Sequence, residues 1–200
     1  MSTTTLIRTG LWAMAALIAG AMAAVFFLFG SAGTGGSSVA EGPYGSPFQL
    51  VDQDGAPVTE ADLRGAPSAV FFGFTHCPDV CPTTLYELAG YQKHIAAAGG
   101  ELRVVFVTVA PERDTPAIMK DYVSAVSPDI KALTGEPENV AAMLNGWGVY
   151  SRKVGDGEDY TMDHTATTFL LDADGGLAGT LAYGEDPETA RAKLERLVGV

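Results

Sequence analysis

Hydrophobic and polar positions recur along this chain with several different periods. Leu11 to Phe29 carries no charge at all. As a helix, nineteen such residues rise about 28 Å, near the ~30 Å hydrocarbon thickness of a bilayer. Gly30 to Pro47 has no apolar period and is rich in Gly and Ser, the pattern of a flexible linker. Phe48 to Asp52, followed by Gln53-Asp54-Gly55, predicts a strand entering a turn, and Thr59 a cap for a short helix to Leu63. Ala69 to Phe74 is almost continuously apolar, as a central strand buried on both faces must be. Leu85, Leu88, Tyr91 and Ile95 then take up helical spacing, predicting a helix from Pro82 to Ala98 that stops at Gly99-Gly100. Leu102 to Val109 reads as a second strand, and Thr115-Pro116 as N-cap and first residue of a helix to Val126. A short strand over Ile130–Leu133 and a helix over Pro137–Trp147 follow. Gly155-Asp156-Gly157 centres a hairpin over Val149–Thr161. Ala166–Leu171 turns through Asp172–Gly176 into an antiparallel Leu177–Tyr183, and Asp186-Pro187 opens the last helix.

Strands alternating with helices, closed by a hairpin and a helix, predict an α/β, thioredoxin-like sandwich with a central mixed sheet and flanking helices. One amino-terminal transmembrane helix precedes it. The expected division is a cytoplasmic N-terminus (1–10), an anchor (11–29), a linker (30–47) and one domain (48–200). With 200 residues, 47% of them hydrophobic, the chain has enough material for one core of that size. Arg8 lies before the apolar run and no Lys or Arg follows it until Arg64, so the positive flank is cytoplasmic and the domain exported. A signal peptide cleaved near Ser38-Val39-Ala40 is the alternative, and it exports the domain equally. A net charge of −12 argues against nucleic acid as a partner.

Chemistry concentrates in Thr75-His76-Cys77-Pro78-Asp79-Val80-Cys81-Pro82, which holds both cysteines of the chain. Two cysteines are too few for a disulfide scaffold, and a close pair points to redox chemistry or metal. If Pro82 opens the helix, Cys77 sits in the preceding loop and Cys81 at the N-cap or first turn, where N–H groups favour thiolate. Thiolates are soft ligands suited to Cu(I) and to zinc, and an imidazole is the usual addition for Cu(II). Of the three histidines, His76 abuts Cys77 but is expected to point away, and His94 lies three turns along the helix. His164, in Asp163-His164-Thr165 ahead of a strand whose leading loop faces the cysteines in a thioredoxin-like sheet, is the preferred ligand. Asp163 and Asp79 are candidates for charge close to the metal, against plain surface and turn roles. Arg113 and Asp114 are expected to hold a strand-to-helix connection, Asp114 as a capping residue.

Phe74-Thr75-His76-Cys77-Pro78-Asp79-Val80-Cys81-Pro82, Pro111-Glu112-Arg113-Asp114-Thr115-Pro116 and Asp163-His164-Thr165 together resemble the Sco (SenC/PrrC) family of copper proteins for cytochrome c oxidase assembly. The resemblance covers roughly Phe48 to Leu197, with the motifs in the family's order. It implies a thioredoxin fold, one amino-terminal anchor in the inner membrane with the domain facing the periplasm, and a copper site of Cys77, Cys81 and His164. It further implies delivery of copper, as Cu(I) or Cu(II), to the binuclear centre of oxidase subunit II, or reduction of that subunit's cysteines, with another copper chaperone as a further partner. Ala110 stands where the family usually has Asp. A thiol-disulfide oxidoreductase using Cys77 and Cys81 as its redox pair is the competing reading, and it does not need His164 as a ligand.

Overall fold

The computed structural model describes residues 44–200 apart from Glu158, together with Trp12, Met14 and Gly20. The chain separates into two compact units, Met1–Val39 and Ala40–Val200. In the first, Trp12, Met14 and Gly20 are helical. The anchor expected over residues 11–29 otherwise lies outside the described residues. Among the described residues no helix is long and apolar enough to cross a membrane.

The second unit is built on a seven-stranded sheet. Its strands are β1 (Gln49–Asp52), β2 (Pro57–Thr59), β3 (Ser68–Gly73), β4 (Arg103–Thr108), β5 (Ile130–Thr134), β8 (Thr168–Leu171) and β9 (Leu177–Leu181), in the spatial order β2-β1-β5-β4-β3-β8-β9. β3, β4 and β5 run parallel, while β1, β2, β8 and β9 join antiparallel at the two sides. Helices α1 (Val80–Ala97), α2 (Pro116–Ser124), α3 (Pro137–Gly146) and α4 (Pro187–Val198) flank it. A separate ribbon, β6 (Ser151–Val154) with β7 (Thr161–His164), completes the fold. This is the mixed sheet and helical flanking of a thioredoxin-like sandwich.

The central strand explains where the core and the site lie. All six residues of β3 are buried, and successive side chains must face opposite sides of the sheet. Phe72 packs edge-on against Trp147 and Phe169 on one face. Phe71 stacks on Phe106 at 6.2 Å on the other, and Gly73, two residues on, shares that face. Tyr44, within the stretch read as linker, packs its ring on Trp147 at 5.2 Å and donates its hydroxyl to the Trp147 carbonyl.

Most elements fall where their patterns put them, and the exceptions are instructive. α1 starts at Val80 with Asp79 at the N-cap, so Pro82 lies inside the first turn, where a missing N–H costs nothing. The hairpin runs on to His164, beyond the Thr161 limit read from its polar pieces. β2 is three residues long and begins with Pro57, too short to show a period. Thr59 does cap the 3-10 turn Glu60–Leu63, reciprocally with Asp62.

Candidate metal centre

The site forms where β3 gives way to α1 and the end of β7 comes over the same face. Cys81 sits in the first turn of α1 and is fully buried; Cys77, in the loop before it, is partly exposed. The Cys81 backbone N–H, a helix-end donor with no partner inside the helix, donates to Cys77 Sγ at 3.4 Å. Cys81 Sγ is let in by Gly73. A Cβ on that residue would stand 2.7 Å from the sulfur, 2.8 Å from Phe106 Cε2 and 3.2 Å from Phe71 Cε1. Burial pushes the Cys81 thiol up, well above its ordinary range, with the hydrogen-bonded Phe74 backbone pulling the other way.

His164 closes the opposite side. Its Nε2 lies 3.6 Å from Cys81 Sγ, and its Nδ1 donates to the Thr165 carbonyl at 2.9 Å. A carbonyl can only accept, so the proton is on Nδ1 and the bare lone pair of Nε2 faces the sulfur. Burial lowers the His164 pKa and keeps the ring neutral. Phe71 and Phe74 wall the ring edge-on, at 6.2 and 5.8 Å. In the reduced protein the Cys81 S–H donates to Nε2. A metal ion would take that proton's place.

The donor set fits such an ion in part as it stands. A first-row metal bound tetrahedrally at ordinary S and N distances sets the two donors about 3.5 Å apart, close to the spacing found between Cys81 and His164. Among the described residues no three His, Cys, Asp or Glu side chains are already converged on one point. A three-ligand set would need Cys77 Sγ to meet the same ion as Cys81 and His164.

Other candidates go elsewhere. Asp163 is on the outer side of β7, one residue from His164, and pairs with Arg152 across the ribbon at 2.6 Å; its charge still acts on His164 through space. Asp79 is exposed, and its side chain makes no capping bond. His76 is exposed with Nδ1 3.0 Å from Thr75 Oγ1, and His94 pairs with Glu195. Asp114 is no cap. Thr115 takes that role, while Asp114 is buried and accepts from the Thr75 N–H, the Thr75 hydroxyl and the Thr108 hydroxyl. Ala110 lines a groove with Pro111, Val140, Leu144, Tyr160 and Met162, so a carboxylate at that position would change the groove.

Gly73 carries no signal in the sequence, and the contacts of Arg113 go beyond the strand-to-helix role expected of it. Gly73 reads as one more small residue in an apolar run. Arg113 lays its guanidinium over the Tyr160 ring at 3.9 Å and near Phe74 at 5.9 Å, and donates to the Tyr160 carbonyl. These contacts join residues far apart in sequence, and no local pattern records them.

The geometry can now be set beside known proteins. The SCO1/SenC family model matches residues 37–199. The chain belongs to the SCO1/SenC family. ScoI of Bradyrhizobium japonicum, solved with copper bound, is 44% identical, with a TM-score of 0.70 over 76% of this chain and 98% of that one. Yeast Sco1 with copper bound is 34% identical, with a TM-score of 0.73 over 78% and 89% of the two chains. The SCO2-like protein RP587 of Rickettsia prowazekii is 35% identical over 134 residues, 66% of this chain. That match spans 65% of the Rickettsia protein's length.

Proposed function

We propose that this SCO1/SenC protein binds one copper ion through Cys77, Cys81 and His164 and hands it on during cytochrome c oxidase assembly, its recipient being the binuclear copper centre of subunit II. The observation that carries the reading is the His164 Nε2 lone pair held 3.6 Å from the Cys81 sulfur by the Nδ1–Thr165 hydrogen bond. Two relatives, 44% and 34% identical, have been solved with copper bound, which supports copper as the metal. Thiolate and imidazole together suit both copper oxidation states.

Copper is cargo here, so the site must release as well as hold. Binding displaces the Cys81 proton, and the Cys77 sulfur joins the same ion. Cys77 is the more exposed sulfur, so it is the ligand an incoming partner thiolate or imidazole displaces first. Cys81 and His164, held by Gly73 below and the two phenylalanines beside, let go last. The uncharged Leu11–Phe29 run, with Arg8 before it, supports an inner-membrane anchor with the domain facing the periplasm.

The test is a titration of the reduced chain with Cu(I) and Cu(II), beside Cys77→Ala, Cys81→Ala and His164→Ala. One equivalent bound with sulfur-to-copper charge-transfer absorption, lost or weakened in each variant, is expected. Unchanged affinity in any two variants would sink the three-ligand site.

A second reading rests on the Cys81 N–H bond to Cys77 Sγ. Cys77, the reachable sulfur, can attack a partner disulfide; Cys81 then resolves the mixed disulfide, two electrons passing to the partner as the pair oxidises. His164→Ala separates the two, since exchange survives its loss and the copper site does not.

A further inference from the structure

Buried tyrosines almost always find a partner for the O–H. Tyr122, on α2, does not: its hydroxyl is shut off from solvent and has no hydrogen-bond partner among the described residues. The ring lies tilted on Phe106 at 5.6 Å. The edge of Phe106 and the sulfur of Cys81 are the two nearest atoms over Gly73, so the Cys81 sulfur, Phe106 and Tyr122 form one continuous layer. Burial pushes the phenol's pKa well up, with Cys81, Cys77 and Asp114 adding to the shift, so the proton stays on the oxygen. Asp114 is already engaged by the Thr75 N–H and by the Thr75 and Thr108 hydroxyls. A protonated cysteine is a weak acceptor, whereas a thiolate is a strong one.

We propose that Tyr122 is a positioning residue for the cysteine pair, donating its O–H to a site sulfur when that sulfur carries the charge of a metal-bound thiolate. The proposal rests on the copper-binding reading above. A thiolate taken into this apolar layer has lost its water, and the Tyr122 hydroxyl is an uncommitted donor of the same layer. The hydroxyl is unsatisfied in the metal-free protein because its acceptor is created only on loading. Hydrogen bonds to a thiolate draw electron density from sulfur, which raises the energy of sulfur-to-copper charge transfer and favours Cu(I) over Cu(II).

Tyr122→Phe in the full chain tests this, with three readouts. The Cu(II) charge-transfer band is expected to move to longer wavelength, the Cu(II)/Cu(I) potential to fall, and copper affinity to drop about tenfold, the loss of a charged hydrogen bond. Copper-free Tyr122→Phe is expected to unfold thermally at the wild-type temperature or above, since only an orphaned hydroxyl has been removed. An unmoved band and potential would overturn the proposal. So would a copper-free variant that is destabilised or fails to fold, because the hydroxyl would then be at work without metal. A wild-type chain with no sulfur-to-copper band would instead fail the copper-binding reading itself, and the inference with it.

Discussion

Cys77 and Cys81 are four residues apart and chemically unequal. Cys81 has no exposed surface, and burial holds it as a thiol; Cys77 is reachable and takes an N–H at its sulfur. Alkylation of the reduced, metal-free chain with iodoacetamide at neutral pH is therefore expected to mark Cys77 well before Cys81, read by peptide mass. Equal labelling would mean that the α1 first turn opens freely. Gly73 sets the position of the buried sulfur. Gly73→Ala puts a methyl 2.7 Å from Cys81 Sγ and 2.8 Å from the Phe106 edge, and neither can retreat without disturbing a packed layer. The expected outcome is a loss of ~1–3 kcal/mol in urea unfolding together with weakened copper binding. Preserved binding despite that loss would show the sulfur to be adaptable.

The site depends on the loop after β3, and Asp114 ties that loop to the ends of β4 and β5. Its carboxylate fastens the Thr75 loop after β3 to Thr108 at the end of β4, and its own carbonyl accepts from the Thr134 hydroxyl at the end of β5. Asp114→Ala leaves buried donors without acceptors and is expected to cost ~3 kcal/mol or more in chemical denaturation, with looser copper binding through displacement of the Cys77 loop. Arg152→Ala, by contrast, breaks only an exposed pair with Asp163 and is expected to change stability by less than ~1 kcal/mol. The same contrast marks what could be read beforehand. Periodicity and capping located the long elements, and the cysteine spacing with Asp163-His164 located the sulfur and nitrogen donors. Strand alternation decides between Asp163 and His164, but the hairpin's length had to be known before alternation could be counted. Asp114 looked like a cap because it precedes a helix, and only the approach of β3 to β4 shows its carboxylate turned inward. Gly73 and Tyr122 act across the sheet face, where adjacency comes from topology.

At the scale of the whole molecule, the two buried site residues bind protons differently in the folded and unfolded chain, and so shape its stability against pH. The folded pKa of His164 lies below its ordinary 6.5, because burial disfavours imidazolium. Below 6.5 the unfolded chain takes a proton that the folded chain refuses, so stability falls as pH drops, until the folded form also titrates. Cys81 has the opposite sign. Its folded pKa lies above the ordinary 9.0, so the unfolded chain loses a proton first and stability falls as pH rises past that value. Together they give a plateau between about 6.5 and 9.0, with limbs of up to ~1.4 kcal/mol per pH unit from each group. Urea unfolding of the reduced, copper-free chain from pH 5 to pH 10 is the measurement. His164→Gln is expected to flatten the acid limb and Cys81→Ser the alkaline one, each leaving the other limb in place. Copper binds the deprotonated sulfur and the neutral imidazole of the folded chain, so loading should raise stability across the range and most where protons compete least. Limbs that persist in both variants would assign the pH response to the surface carboxylates and lysines instead, and remove the buried pair from the proton balance of folding.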